Sequence, residues 1–245
     1  MFEALFHNVT ESEKNEAIEN IIAHASPRQD FFLMLTLSVS MAVFGVLLGS
    51  TVILIGSMLI APILFPLLSL SLGIIVSDQK LIAQAGYTIA KSLGLALAAG
   101  FIIGFVFGGS INATSGGGIE TFALYVTVGG ASSLMYAVVA AIAGFAAAFA
   151  MTKPHLNASL PGVAIAVALV PPLAFAGIGL SFFDWAVVSN SLLLFLVNVI
   201  GIMFSAMIVF SMLRFAVKRK VAEEAVKEEE KIIKKETEHS NSKSS

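Results

Sequence analysis

The chain opens polar, turns apolar for most of its length and closes in charge. Near the N-terminus, Thr10 with Glu13 has the spacing of a capping box, and Ile18, Ile21, Ile22 and Ala25 recur at helical spacing. Residues 1–30 therefore predict an amphipathic cytosolic helix. Six apolar segments follow, at 31–49, 51–76, 87–108, 132–151, 160–180 and 185–213. Each is long enough to cross a hydrocarbon core of about 30 Å. The stretch 121–131, TFALYVTVGGA, is too short to cross alone and reads as re-entrant or as an extension of the fourth helix. From Arg214 the pattern becomes a solvated helix, with Glu223–Lys227 and Glu230–Lys234 at i,i+4, and HSNSKSS reads as a disordered tail.

Composition turns the segments into membrane spans. Hydrophobic residues make up 57% of the chain and charged residues 12%, about half of what a soluble domain carries. Between Phe31 and Leu213 the only acids are Asp78, Glu120 and Asp184, and the only bases Lys80, Lys91 and Lys153. So few charges cannot clothe a fold in water. No cysteine is present, which excludes disulfides, thiolate metal sites and thiol nucleophiles. The polar start, Thr10 to Glu19, is unlike a cleaved signal peptide.

Charge also sets the orientation. With the N-terminus inside and six crossings, Lys14, Arg28, Lys80, Lys153, Arg214 and the later basic residues all fall on the cytoplasmic side. Lys91 lies at the cytoplasmic end of the third span. The outer loops hold no Lys or Arg, as the positive-inside rule expects. The expected location is the plasma membrane, with both termini in the cytoplasm.

A shift of 106 residues carries Gly56 onto Gly162, Pro66 onto Pro172, Leu67 onto Leu173, Gly73 onto Gly179 and Asp78 onto Asp184. These are mostly residues that shape backbones or end helices. Three crossings per half would bring the second half in from the opposite face. The expected fold is an all-α polytopic membrane protein of six transmembrane helices. They form two inverted three-helix repeats, about 31–108 and 132–213, with proline-broken helices 2 and 5 and a cytosolic 214–245. Paired interruptions of this kind point to a transporter binding site.

Proline leaves the carbonyl four residues back without its helical partner. Pro62 would free Met58, Pro66 would free Pro62, Pro171 would free Val167 and Pro172 would free Ala168. Non-helical backbone survives in a membrane only inside protein or against water. The candidate solute contacts are Ser57, Met58, Ala61, Pro62, Pro66, Val167, Ala168, Pro171 and Pro172. Asn190 and Asn198 join them from the sixth helix, and Lys91 is a candidate anion contact. Freed carbonyls suit a cation and helix N-termini an anion, so the sign of a ligand stays open here. Asp78 and Asp184 read as helix caps. Rows of small residues, Ala96, Gly100, Gly104 and Gly108, then Ala140, Gly144 and Ala148, read as close-packing or oligomeric faces.

Enzyme chemistry finds no support. All four histidines, His7, His24, His155 and His239, lie outside the spans, no carboxylate sits in a helix centre, and no phosphate-binding loop is present. No catalytic residue, metal or cofactor is expected.

GSMLIAPILFP and LPGVAIAVALVPPLAFAGIGL resemble the signature blocks of the domain-of-unknown-function 389 family of archaeal and bacterial hydrophobic membrane proteins. The resemblance covers roughly Phe31 to Phe210. The matching positions are Gly56, Met58 to Pro62, Pro66, Gly162 to Ile165, Pro171 to Leu173 and Gly177. It implies a helical membrane architecture and a prokaryotic source, and supplies no substrate. Many relatives carry a soluble domain ahead of the helices, where this chain has about 30 residues.

The function expected from these readings is passage of a small solute or ion through the two interrupted regions. The alternatives are an oligomeric channel, or a scaffold binding lipid or a protein partner through its cytosolic ends. Membrane lipid and a second copy of the chain are expected partners, and nucleic acid is not.

Overall fold

The computed structural model describes residues 9–111, 129–153, 156, 162–163 and 168–243. All regular structure among them is helical. In chain order the helices are α1 Glu11–Ala25, α2 Gln29–Leu47, α3 Thr51–Ile60, α4 Leu64–Val76, α5 Gln79–Ile111, α6 Gly129–Met151, α7 Val170–Ser181, α8 Trp185–Met212 and α9 Arg219–Lys243. A 3₁₀ turn, Phe215–Lys218, joins α8 to α9.

Three helices, α2, α5 and α8, are long and apolar enough to cross a membrane, and α3 with α4 makes a fourth if the pair counts as one span bent by 45°. These helices are consistent with a membrane protein. The described part of α6 and the whole of α7 are shorter apolar helices. Most of the expected fifth segment before Ala168 lies outside the described residues, as does most of 109–131.

Local sequence explains the helix ends. Thr10 Oγ1 accepts the Glu13 N–H at 3.2 Å, and Glu13 Oε2 accepts the Thr10 N–H at 2.7 Å. This capping box starts α1, whose Ile18, Ile21, Ile22 and Ala25 are buried. Between α2 and α3 the chain reverses at Gly49, with φ +64°, and Ser50 Oγ accepts the Ile53 N–H at 3.4 Å. α5 begins at Gln79, eight residues before the apolar run that marks it in the sequence. At the far end α9 continues through Lys243, where the sequence predicts a disordered tail. Within α9, Glu223 pairs with Arg219 one turn before it, at 2.8 Å.

The rows of small residues are consumed inside the chain. A methyl group on Gly100 would stand 2.8 Å from Gly177 Cα, and one on Gly104 would stand 2.6 Å from Ser181 Oγ. α5 and α7 therefore touch backbone to backbone. Gly144 in turn faces Ile202 and Ser205, and a methyl on Gly201 would lie 2.9 Å from Ala140 Cβ, which brings α6 against α8. Small residues permit this approach. It corrects the oligomeric reading of both rows, because these surfaces are already occupied.

Candidate functional site

Two short helices set the geometry. α4 ends in a turn that leads into α5, and α7 ends in a turn that leads into α8. The turns match bond for bond at the 106-residue shift. Asp78 N–H donates to Gly73 O at 3.0 Å, and Asp184 N–H donates to Gly179 O at 2.9 Å. Asp78 Oδ1 accepts from Lys80 N–H at 2.9 Å and Leu81 N–H at 3.2 Å. Asp184 Oδ1 accepts from Ala186 and Val187 N–H, both at 3.1 Å. Each aspartate is a helix cap. A methyl on Gly73 would meet Leu81 and Ile82, and one on Gly179 would meet Val187 and Val188, again one shift apart.

Register then locates the other ends of α4 and α7. Residues advance equally along every α-helix, so counting along neighbours gives relative depth to within about a turn. Gly73 lies beside Ile82 on antiparallel α5. Leu64 is nine residues before Gly73, and nine residues beyond Ile82 is Lys91. α7 runs parallel to α5, because Gly177 meets Gly100, Ser181 meets Gly104 and Phe182 meets Gly108 in order. Val170, seven residues before Gly177, is therefore level with Leu93. On α8, Ser71 Oγ lies 3.5 Å from Met203 O, which puts Leu64 level with Leu196. Gly179 beside Val188 puts Val170 level with Val197. Both counts agree. α4 and α7 begin at one depth and run in opposite directions, each packed against both α5 and α8.

Neither nose has a side-chain cap. Their prolines explain how an uncapped start survives in an apolar setting. Pro66 is the third residue of α4, and Pro171 and Pro172 are the second and third of α7. Proline has no N–H to leave orphaned and suits the first helical turn. These positions correct the expectation that Pro66 strips Pro62 of its partner. The Pro62 carbonyl accepts the Phe65 N–H at 3.3 Å. Pro171 and Pro172 stand likewise at a helix start, and most of the residues before Ala168, where the other side of the expected break would lie, fall outside the described residues.

The remaining candidates sort by surroundings. The chain between α3 and α4 is Ala61, Pro62 and Ile63, with Ala61 and Pro62 half-buried. Just upstream, Ser57 is fully buried and Met58 is 8% exposed. Ser57 O accepts the Ser38 hydroxyl of α2 at 2.7 Å, and Ser57 Oγ donates to Leu54 O at 2.6 Å. Before α7, Ala168 holds φ +47°, a left-handed conformation that strains any residue with a Cβ. Its counterpart one shift earlier is Pro62. Val167 lies outside the described residues.

Asn198 is 3% exposed and level with the two noses. Asn190 is only half-buried. Ser191, Asn198 and Ser205 share the buried stripe of α8. Ser191 is fully buried, and its hydroxyl has no hydrogen-bond partner among the described residues. Ser92 on α5, one shift before Asn198, is fully buried at the same depth and donates to Thr88 O at 2.6 Å. Sequence reasoning missed Ser92 and Ser191. The seven-residue spacing of the α8 stripe and the shift that pairs Ser92 with Asn198 were the available signals.

Lys91 is exposed, with Nζ 4.1 Å above the Phe32 ring and 5.9 Å above the Tyr87 ring. It stands about three turns inside α5, not at its end. Its visible partners are aromatic faces of the outer surface, a cation–π arrangement.

The junction therefore offers hydrogen-bonding side chains and two helix N-termini, each carrying partial positive charge. Among the described residues no group of three or more His, Asp or Glu could hold a metal ion.

Comparison with known proteins bears on this region. The family model described as "Domain of unknown function (DUF389)" matches residues 58–204. An uncharacterised protein of the archaeon Methanocaldococcus jannaschii is 31% identical over 214 residues, which cover 83% of this chain. The match takes in 63% of that protein's length, so the chain spans less than two thirds of this relative. No solved structure matches.

Proposed function

Because the chain belongs to the DUF389 family, whose matched span runs from the end of α3 to α8 and holds both noses, we propose that it carries a small solute or ion across the plasma membrane through the junction of α4 and α7. The proposed architecture has six crossings in two inverted three-helix halves, with both termini in the cytoplasm. The twin turns at Asp78 and Asp184 and the matched starts at Leu64 and Val170 support the repeat.

The observation that carries the reading is that α4 and α7 start at one depth, level with Ser92 and Asn198, and run in opposite directions from it. Discontinuous helices whose N-termini point at a shared site are how transporters hold anionic groups inside a membrane. Both noses are positive ends, and one carbonyl of the last turn of α3, Ser57 O, is already taken by Ser38. The solute class is therefore a small anion, or a solute with a carboxylate or similar acceptor. The amide N–H groups of Asn198 would orient it by hydrogen bonds, with no covalent step.

The test is flux into proteoliposomes with small inorganic anions, carboxylates, cations and neutral solutes. Saturable anion uptake is expected, weakened about tenfold or more by Asn198→Ala if that side chain bonds a charged group. No saturable uptake of any solute sinks the reading. Uptake of cations alone sinks the assignment of charge.

A further inference from the structure

α1 reaches both halves of the membrane domain. Its C-terminal end belongs to the first half: it runs into α2, and Gln84 of α5 donates to Ser26 Oγ at 3.4 Å. His24 stacks on Phe65 in the first turn of α4, with ring centroids 4.8 Å apart. Its N-terminal end is held by the second half. Glu13 Oε2 lies 3.3 Å from Nζ of Lys153, just past α6. Glu11 Oε2 lies 2.6 Å from Nζ of Lys218, just past α8. Glu11 also pairs with Lys14 within α1, at 2.9 Å. The ammonium-bearing side chains of Lys153 and Lys218 are only 13% and 14% exposed. Across the same seam, Ser71 of α4 is fully buried against Met203 of α8.

From this arrangement we infer that α1 is a strap holding the two halves together on the cytosolic side. It must release Lys153 and Lys218 before the junction can open to the cytosol. The inference rests on the transport reading only for the meaning of that opening. The strap predicts a coupled motion of α4 against α8 whether or not a solute moves. Two partly exposed ion pairs suit such a device, because each is weak enough to break and re-form while jointly biasing a two-state equilibrium.

The absence of native cysteine makes the test direct. A Ser71→Cys reporter is reacted with a thiol reagent in the full chain, with and without Glu11→Gln and Glu13→Gln. Labelling is expected to rise about threefold or more when both pairs are removed. Lys14→Gln, which alters only the pair internal to α1, should leave the rate unchanged. In a separate variant, Glu13→Cys and Lys153→Cys are joined by a short cleavable bifunctional reagent. Flux should stop on joining and return on cleavage. Unchanged Ser71→Cys labelling in the neutralised protein overturns the strap, even where flux is robust. Faster labelling in a protein that moves no solute upholds the strap and rejects transport. An equal rise with Lys14→Gln would mean general loosening of α1 and also overturns it.

Discussion

Ser77 and Phe183, 106 residues apart, hold φ angles of +56° and +57° at the same position of two matching turns. Each is the left-handed residue that ends a short helix just before a capping aspartate. Side chains with a Cβ disfavour this region, so neither residue is there for its own comfort. The shared geometry follows from Gly73 and Gly179 packing under the next helix, and from Asp78 and Asp184 starting it. Ser77→Gly and Phe183→Gly should therefore each stabilise the protein by up to about 1 kcal/mol. Phe183 is 74% exposed, so little burial is lost. Thermal unfolding in detergent would check this, and a fall in midpoint at both sites would mean the turns are not under strain.

Gly100 and Gly94 lie on the same helix, yet only one can accept a methyl group. A Cβ on Gly100 meets Gly177 backbone at 2.8 Å, whereas Gly94 has nothing within 4 Å. Gly100→Ala should destabilise by about 1–3 kcal/mol through overpacking. Gly94→Ala should be neutral or raise stability by up to about 1 kcal/mol. Unfolding midpoints of the two variants, measured in the same detergent, decide it. Equal effects would refute the α5–α7 contact.

Ser38 and Ser40 separate a bond between helices from one within a helix. The Ser38 hydroxyl satisfies Ser57 O across the α2–α3 interface at 2.7 Å, and Ser40 donates to Thr36 O of its own helix at 2.7 Å. Ser38→Ala strands a buried carbonyl in the last turn of α3 and should cost about 1–3 kcal/mol. Ser40→Ala should be near neutral, since Thr36 O keeps its helical donor. If the transport reading holds, Ser38→Ala also slows flux, because the freed carbonyl adds negative partial charge where an anion passes.

The acid side of the stability profile should report the α1 contacts. Hydrogen bonds from Lys218 and Lys14 hold the Glu11 carboxyl at about 2, against its usual 4.5. The Thr10 backbone N–H leads the groups that hold Glu13 below 4.5. A depressed carboxyl stabilises the fold above its unfolded pKa and loses that contribution as pH falls through the folded value. The stability gap between the natural chain and Glu11→Gln should thus be full at pH 7, begin to shrink below about 4.5 and close near pH 2. A gap that is constant over this range would show that Glu11 does not bond in its charged form. High salt should narrow the gap at neutral pH as well, since these pairs are partly exposed.

How much of this was legible in the residues differs by element. The capping box of Thr10 and Glu13, the buried stripe of α1 and the two aspartate caps are local, and their spacing is enough. The starts of α4 and α7 are not. Proline serves equally as an interior kink or as a first-turn residue, and only the structure shows which N–H groups are missing. Hydropathy finds where lipid can be, not where a helix begins. Gln79 to Thr88 is amphipathic and helical, so α5 extends below its apolar run and Lys91 sits deeper than expected. Ser92 carries no signal as one serine in an apolar stretch. It gains meaning only beside Asn198 and the two noses. The tie between Glu13 and Lys153 spans 140 residues, beyond the reach of any local pattern.

Orientation admits a direct check that also bears on the repeat. If three crossings separate the two halves, equivalent turns must lie on opposite faces: the one at Asp78 inside, the one at Asp184 outside. Lys80 begins α5 and is exposed, and Ala186 occupies the equivalent position on α8, also exposed. In closed vesicles with the natural orientation, Ala186→Cys should react with an impermeant thiol reagent added outside. Lys80→Cys should react only after the membrane is opened. The polar stretch at Ser115 should behave as Ala186 does. Labelling of Lys80 and Ala186 from the same side would require an even number of crossings between the twin turns. The two noses would then belong to parallel rather than inverted halves, and the helix ends could no longer meet from opposite leaflets.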